Sequence, residues 1–110
     1  MLKIPISPAA SAVLRELIAK TGVPRNRILL MNVRSIDWQS LTFVGERHEL
    51  HLRIRPPRSE EIAKRIRENL KEAEFDIPGH FLADIATREG PSAASDGATM
   101  LIVEALTIQD

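Results

Sequence analysis

Apolar residues recur along this 110-residue chain with two periods, and the changes of period mark its elements. Ala10, Val13, Leu14, Leu17 and Ile18 fall at helical spacing. Ser7-Pro8 supplies a start, because a seryl oxygen can accept from unpaired N–H groups and Pro costs nothing at the first helical position. Gly22 and Pro24 supply the stop. The pattern therefore predicts a helix from Pro8 to Thr21. Ahead of it Leu2, Ile4 and Ile6 alternate, which predicts a short strand that Pro5 would confine to a sheet edge.

From Ile28 the period becomes that of a strand. Ile28–Val33 is a β-favouring run, and Ile36, Trp38, Leu41 and Phe43 prolong it. The phase breaks between Trp38 and Leu41, which predicts a bulge or bend there. Gly45-Glu46 reads as a tight hairpin turn. From His48 to Arg55 the alternation is clean: Leu50, Leu52 and Ile54 point one way, and Glu49, His51, Arg53 and Arg55 the other.

Pro56-Pro57 ends that strand. Ser59 is placed to cap a second helix, Glu60–Glu74, whose apolar stripe is Ile62, Ala63, Ile66, Leu70 and Ala73. Glu60–Lys64, Glu61–Arg65 and Lys64–Glu68 add pairs at i,i+4. Ile77-Pro78-Gly79-His80 fits a type II turn. A strand follows from Phe81 to Ala86, then a Gly/Ser/Ala-rich flexible loop over Glu89–Ala98. The last strand, Met100–Ile108, starts apolar on both faces, which predicts a central or doubly covered position.

Strands that cluster in hairpins favour an antiparallel sheet. The expected fold is a single α+β domain over residues 1–110. It is a two-layer sandwich with a mostly antiparallel four- or five-stranded sheet and two helices on one face, ferredoxin-like or related.

Composition narrows the class. The chain is 44% hydrophobic and 27% charged, which suits a packed globule and not a disordered segment. It has no cysteine, so disulfides, thiolate metal sites and cysteine nucleophiles are excluded, and a reducing cytosol is the expected location. The N-terminal residues lack the apolar core of a signal peptide. The longest apolar runs, Ile28–Met31 and Met100–Val103, fall far short of the roughly 20 residues of a membrane span. Net charge is zero, but residues 1–67 hold 13 Lys/Arg against 6 Asp/Glu, and residues 68–110 hold 2 against 9. Such asymmetry fits an anionic partner, a dimer contact, or plain solvation of different faces.

Candidate chemistry is sparse. His48 and His51 are three apart on a strand, so they project to opposite faces and form no metal pair. His80 opens a strand and shares its parity with Asp84, but Leu82 stands between them. Asp84 and Glu104 each interrupt an apolar strand. If those strands pair, the two carboxylates could approach and shift one another's pKa. Solvation, or pairing with Arg53 or Arg55, is the plainer account. The Arg-rich stretch 25–58 suits phosphate or carboxylate, yet the chain lacks the aromatic platform of single-strand binders. Trp38 reads as a core or interface anchor. No glycine-rich phosphate loop or serine elbow is present.

These residues favour a non-catalytic binding or assembly module that self-associates as a dimer, with no cofactor, no metal and no membrane contact. The rivals are a small enzyme using Asp84, Glu104 or His80 in a pocket on the open sheet face, and a nucleic-acid binder using residues 25–58. The small-molecule ligand, if there is one, is not written in the sequence.

Overall fold

The computed structural model describes residues 5–68, 70–88 and 91–110. Helix α1 spans Pro8–Thr21, the predicted bounds. Ser7 Oγ accepts from the Ala10 N–H at 3.2 Å, and Gly22 takes a left-handed φ of 72° to end the helix. After a single 3-10 turn at Arg25–Arg27 come β1 (Ile28–Gln39), β2 (Val44–Ile54), α2 (Ser59–Glu68), β3 (His80–Thr87), β4 (Ser92–Ala93) and β5 (Thr99–Gln109).

The strands form one five-stranded sheet in the order β1-β2-β5-β3, every pairing antiparallel, with the short β4 also on β5. β5 thus occupies the centre that its apolar start predicted. β2 and β3 run parallel to one another and are linked through α2, with β5 returning between them. The α+β architecture and the antiparallel sheet are those expected.

Both helices share one core with one side of the sheet. Leu50, Leu52 and Ile54 of β2 meet Leu101 and Val103 of β5 beneath Val13, Leu17, Ile62 and Ile66. Leu50, Ile54 and Val103 have no exposed surface. Burial on this scale contributes roughly 1.5–3 kcal/mol per large side chain. Among the described residues, no helix is long and apolar enough to cross a membrane.

Several local expectations are corrected. Pro5 and Ile6 are not in a strand, and the rest of the predicted leading strand lies outside the described residues. The β1–β2 turn is at 40–43, closed by Ser40 N–H to the Phe43 carbonyl at 2.9 Å, and not at Gly45-Glu46. Gly45 lies inside β2 for a steric reason: a Cβ there would sit 2.0 Å from the Thr107 carbonyl oxygen. The bend expected between Trp38 and Leu41 is the β1–β2 turn, entered after Gln39, and β1 carries a further irregularity between Leu30 and Asn32.

Helix α2 ends at Glu68, earlier than its apolar stripe predicts. Tertiary contacts claim the chain beyond it. Leu70 and Ile77 are buried, the Phe75 ring lies 5.1 Å from Lys20 Nζ, and the Asp76 N–H donates to Glu16 Oε1 at 2.5 Å. Ser59 is the first residue of α2, and its hydroxyl donates to the Gly97 carbonyl at 2.7 Å. That bond helps order the segment expected to be a flexible loop. Within it β4 pairs with β5, the Ala94 N–H donates to the Ala98 carbonyl at 2.9 Å, and Asp96 pairs with Arg53. Glu89 and Gly90 of that loop lie outside the described residues.

Candidate functional site

The sheet face away from the helices is the surface left free for chemistry. Strand parity and register populate it. β2 contributes Arg47, Glu49, His51 and Arg53, and β5 contributes Met100, Ile102, Glu104, Leu106 and Ile108. β1 adds Arg34, Ile36 and Trp38 from the outer edge.

Its centre is polar. Glu49 faces Glu104 directly across β2 and β5. Two opposed carboxylates repel, and Arg88 resolves this. The Arg88 N–H donates to the Ile102 carbonyl at 2.9 Å, extending the β3 edge by one residue. Its guanidinium then bridges the pair, donating from Nη2 to Glu49 Oε2 at 2.5 Å and from Nε to Glu104 Oε1 at 3.0 Å. His51 Nε2 lies 2.6 Å from Glu49 Oε1. The His51 hydrogen bond first, then Arg88, hold the Glu49 carboxyl below its ordinary range. A cleft of about 360 Å³ opens beside this group, with His51, Arg88, Ser92, Met100 and Ile102 in its lining.

A carboxylate that orients a histidine is the arrangement of a general base. Here the same carboxylate is also tied to a guanidinium, which favours its ionised form. The arrangement suits a fixed ionic cluster, and Glu49 lacks the raised pKa of a catalytic acid.

The three residues singled out from sequence fare differently. Glu104 belongs to the cluster. Asp84 is exposed on the same face but sits opposite Leu106, while Glu104 sits opposite Ala86, so register does not set the two carboxylates against each other. His80 is turned away altogether. A bulge at Ala83 shifts the parity of β3, leaving His80 on the helix side and Asp84 on the open side. His80 Nδ1 lies 3.0 Å from the Pro78 carbonyl. The expectation that 80, 82 and 84 share a face therefore fails, because one inserted residue inverts every side chain beyond it.

His48 and His51 do point to opposite faces. His48 is 2% exposed, with Nδ1 2.8 Å from Ser35 Oγ and Nε2 2.8 Å from Thr107 Oγ1. The two hydroxyls satisfy both nitrogens of a neutral ring, one as donor and one as acceptor. Burial pushes its pKa below the ordinary 6.5, against a smaller upward pull from Glu46. Among the described residues, no three His, Asp or Glu converge as metal ligands.

The Arg-rich stretch does not form one surface. Arg34 and Arg47 lie on the open face, and Arg53 is paired with Asp96. Arg27 is turned onto the carbonyls of Arg55 and Pro57, and Arg55 onto that of Asn26 at 3.4 Å.

Sequence reasoning placed Glu49 and His51 on a wet face but did not single out Glu49 or Arg88. Alternation exposes the first; only the β3–β5 register reveals the second.

One end of the open face is apolar. Ile36, Phe43 and Phe81 are 47%, 49% and 42% exposed, and the two phenyl rings meet edge to face at 6.2 Å. Trp38 is half-buried across Gly45 from Ile108. The β1–β2 hairpin ends in Leu41, which is fully exposed.

No protein-family model, curated protein or solved structure matches this chain.

Proposed function

We propose that this chain is a non-catalytic assembly module that works as a self-associated dimer in a reducing compartment such as the cytosol. The carrying observation is the apolar end of the open face. Ile36, Phe43 and Phe81 expose two fifths or more of their surface there, beside the fully exposed Leu41. Soluble monomers keep such patches small, and a contiguous one marks a contact surface. The lack of cysteine supports the compartment. Sedimentation at micromolar concentration tests the reading: a species of twice 12.3 kDa is expected, and a single 12.3 kDa species up to high concentration overturns it.

The fold itself fits a variant of the ferredoxin-like plan. β2, α2 and β3 form a crossover split by β5, which supports that kinship.

The Glu49–His51 contact beside its cleft favours a second reading, a small enzyme on the open face. Soaking or titration with a library of small carboxylic acids and phosphates distinguishes it. Ligand-dependent shifts of His51 resonances would favour the enzyme, and their absence the module.

A further inference from the structure

We infer that β1 pairs with β1 of a second copy, antiparallel and centred on Ile36, to join two sheets into one. The inference rests on the self-association proposed above and names the edge and register that carry it.

An edge strand offers a row of unpaired N–H and C=O groups to any other strand, and soluble proteins usually blunt it. Among the described residues the sheet has two long edges, β1 and β3, and they differ. β3 has eight residues, is broken by the bulge at Ala83, and presents an exposed Asp84. These are protective devices. β1 has twelve residues, and its bulge lies near its start, between Leu30 and Asn32. From Asn32 to Gln39 its pairing with β2 is unbroken. That leaves a straight edge of about 27 Å at roughly 3.4 Å per residue. Within that edge Ile36 is 47% exposed between the exposed Arg34 and Asp37, which are of opposite sign, and Met31 is 49% exposed at its start.

A second copy fits this edge in few ways. A two-fold axis normal to the sheet keeps each face on its own side, so the axis must pass through a residue position. Charge then selects the register. Centring on Arg34 sets that guanidinium against itself, and centring on Asp37 does the same for the carboxylate. Centring on Ser35 sets Arg34 against Ile36 and Asp37 against Val33, charge on hydrocarbon in both. Centring on Ile36 pairs the exposed isoleucine with its own copy. It also sets Arg34 opposite Trp38 of the second copy, a cation–π pairing, and Asp37 opposite the Ser35 hydroxyl. No like charges meet in that register.

The chain has no cysteine, so an introduced thiol is the only one present. In an antiparallel pair the two Cα atoms lie about 4.5–5.5 Å apart, within disulfide reach. Ile36→Cys should therefore cross-link to itself under mild oxidation, moving most of the chain to twice 12.3 kDa on a non-reducing gel. Arg34→Cys should cross-link at least ten-fold more slowly, because the two thiols stand four strand positions apart. A mixture of Arg34→Cys and Trp38→Cys should yield the heterodimer. Ile36→Lys, at an exposed position, should weaken the dimer at least ten-fold with an unchanged circular dichroism spectrum. Equal cross-linking rates along β1 overturn the register. A wild-type dimer in which Ile36→Cys fails to cross-link but Phe81→Cys succeeds overturns edge pairing and leaves self-association standing. A monomer at every concentration overturns both.

Discussion

The two faces of β2 differ by a single step along the chain and obey different physics. On the helix side Leu50, Leu52 and Ile54 are at most 1% exposed and belong to the hydrophobic core. On the open side Glu49, His51 and Arg53 are half-buried; Glu49 is held by Arg88 and His51, and Arg53 by Asp96. The first face derives most of its stability from area removed from water, a contribution that carries no charge for solvent to screen. The second derives it from charge, which solvent screens. Packing and charge thus reside on opposite sides of one strand: the helix face holds the hydrophobic core, and the open face holds the ionic cluster.

Substitution can break or sharpen that contrast. Leu52→Ala on the helix face should cost about 2–5 kcal/mol in urea unfolding, as buried leucines do. Ile102→Ala, its near neighbour on the open face and half-buried, should cost clearly less; an equal loss would mean that both faces are packed alike.

Gly45→Ala comes next. The new methyl would meet the Thr107 carbonyl, so β2 and β5 must part, at about 1–3 kcal/mol for an overpacked site. An unchanged melting temperature would remove the steric account of this glycine.

His48 is a buried titratable group on the helix side. Because burial holds its pKa below 6.5, the unfolded chain takes up a proton that the folded chain refuses. Stability should therefore be full above about pH 6.5, decline as the pH falls below it, and level off once the folded ring is protonated. His48→Asn should flatten that decline. The same variant should also lose about 1–3 kcal/mol at neutral pH, since its buried hydroxyl partners are no longer matched. A slope that persists in the variant would assign it to another group.

Glu49→Gln should have the smallest effect, at most about 1 kcal/mol and less in high salt. Its carboxyl is held below its ordinary 4.5, so whatever it contributes is complete above about pH 4.5 and is lost as the pH falls through the lower folded value. A larger loss that salt does not diminish would show that the cluster with Arg88 and Glu104 is structural and not a solvated ionic group.

Much of this was legible in the residues alone. The period of Ala10, Val13, Leu17 and Ile18, bracketed by Ser7 and Gly22, set α1 to the residue, because capping and periodicity are local. The alternation from His48 to Arg55 assigned both faces of β2, and the two-sided apolar start of β5 placed it at the centre. What local chemistry could not supply is anything that depends on a neighbour. Gly45 looked like a turn residue, since nothing along the chain shows the Thr107 carbonyl that would meet its Cβ. Asp84 and His80 looked like residues of one strand face until the bulge at Ala83 reversed one of them, a shift that exists only in the pairing with β5. Arg88 was unremarkable in sequence and became the bridge between two opposed glutamates only when β2, β3 and β5 met. The sequence by itself determined α1, the start of α2 and the two faces of β2, because those follow from periods of a few residues. The tertiary structure alone decided which charges meet and which edge is left open, because register and strand order join residues that the chain holds tens of positions apart.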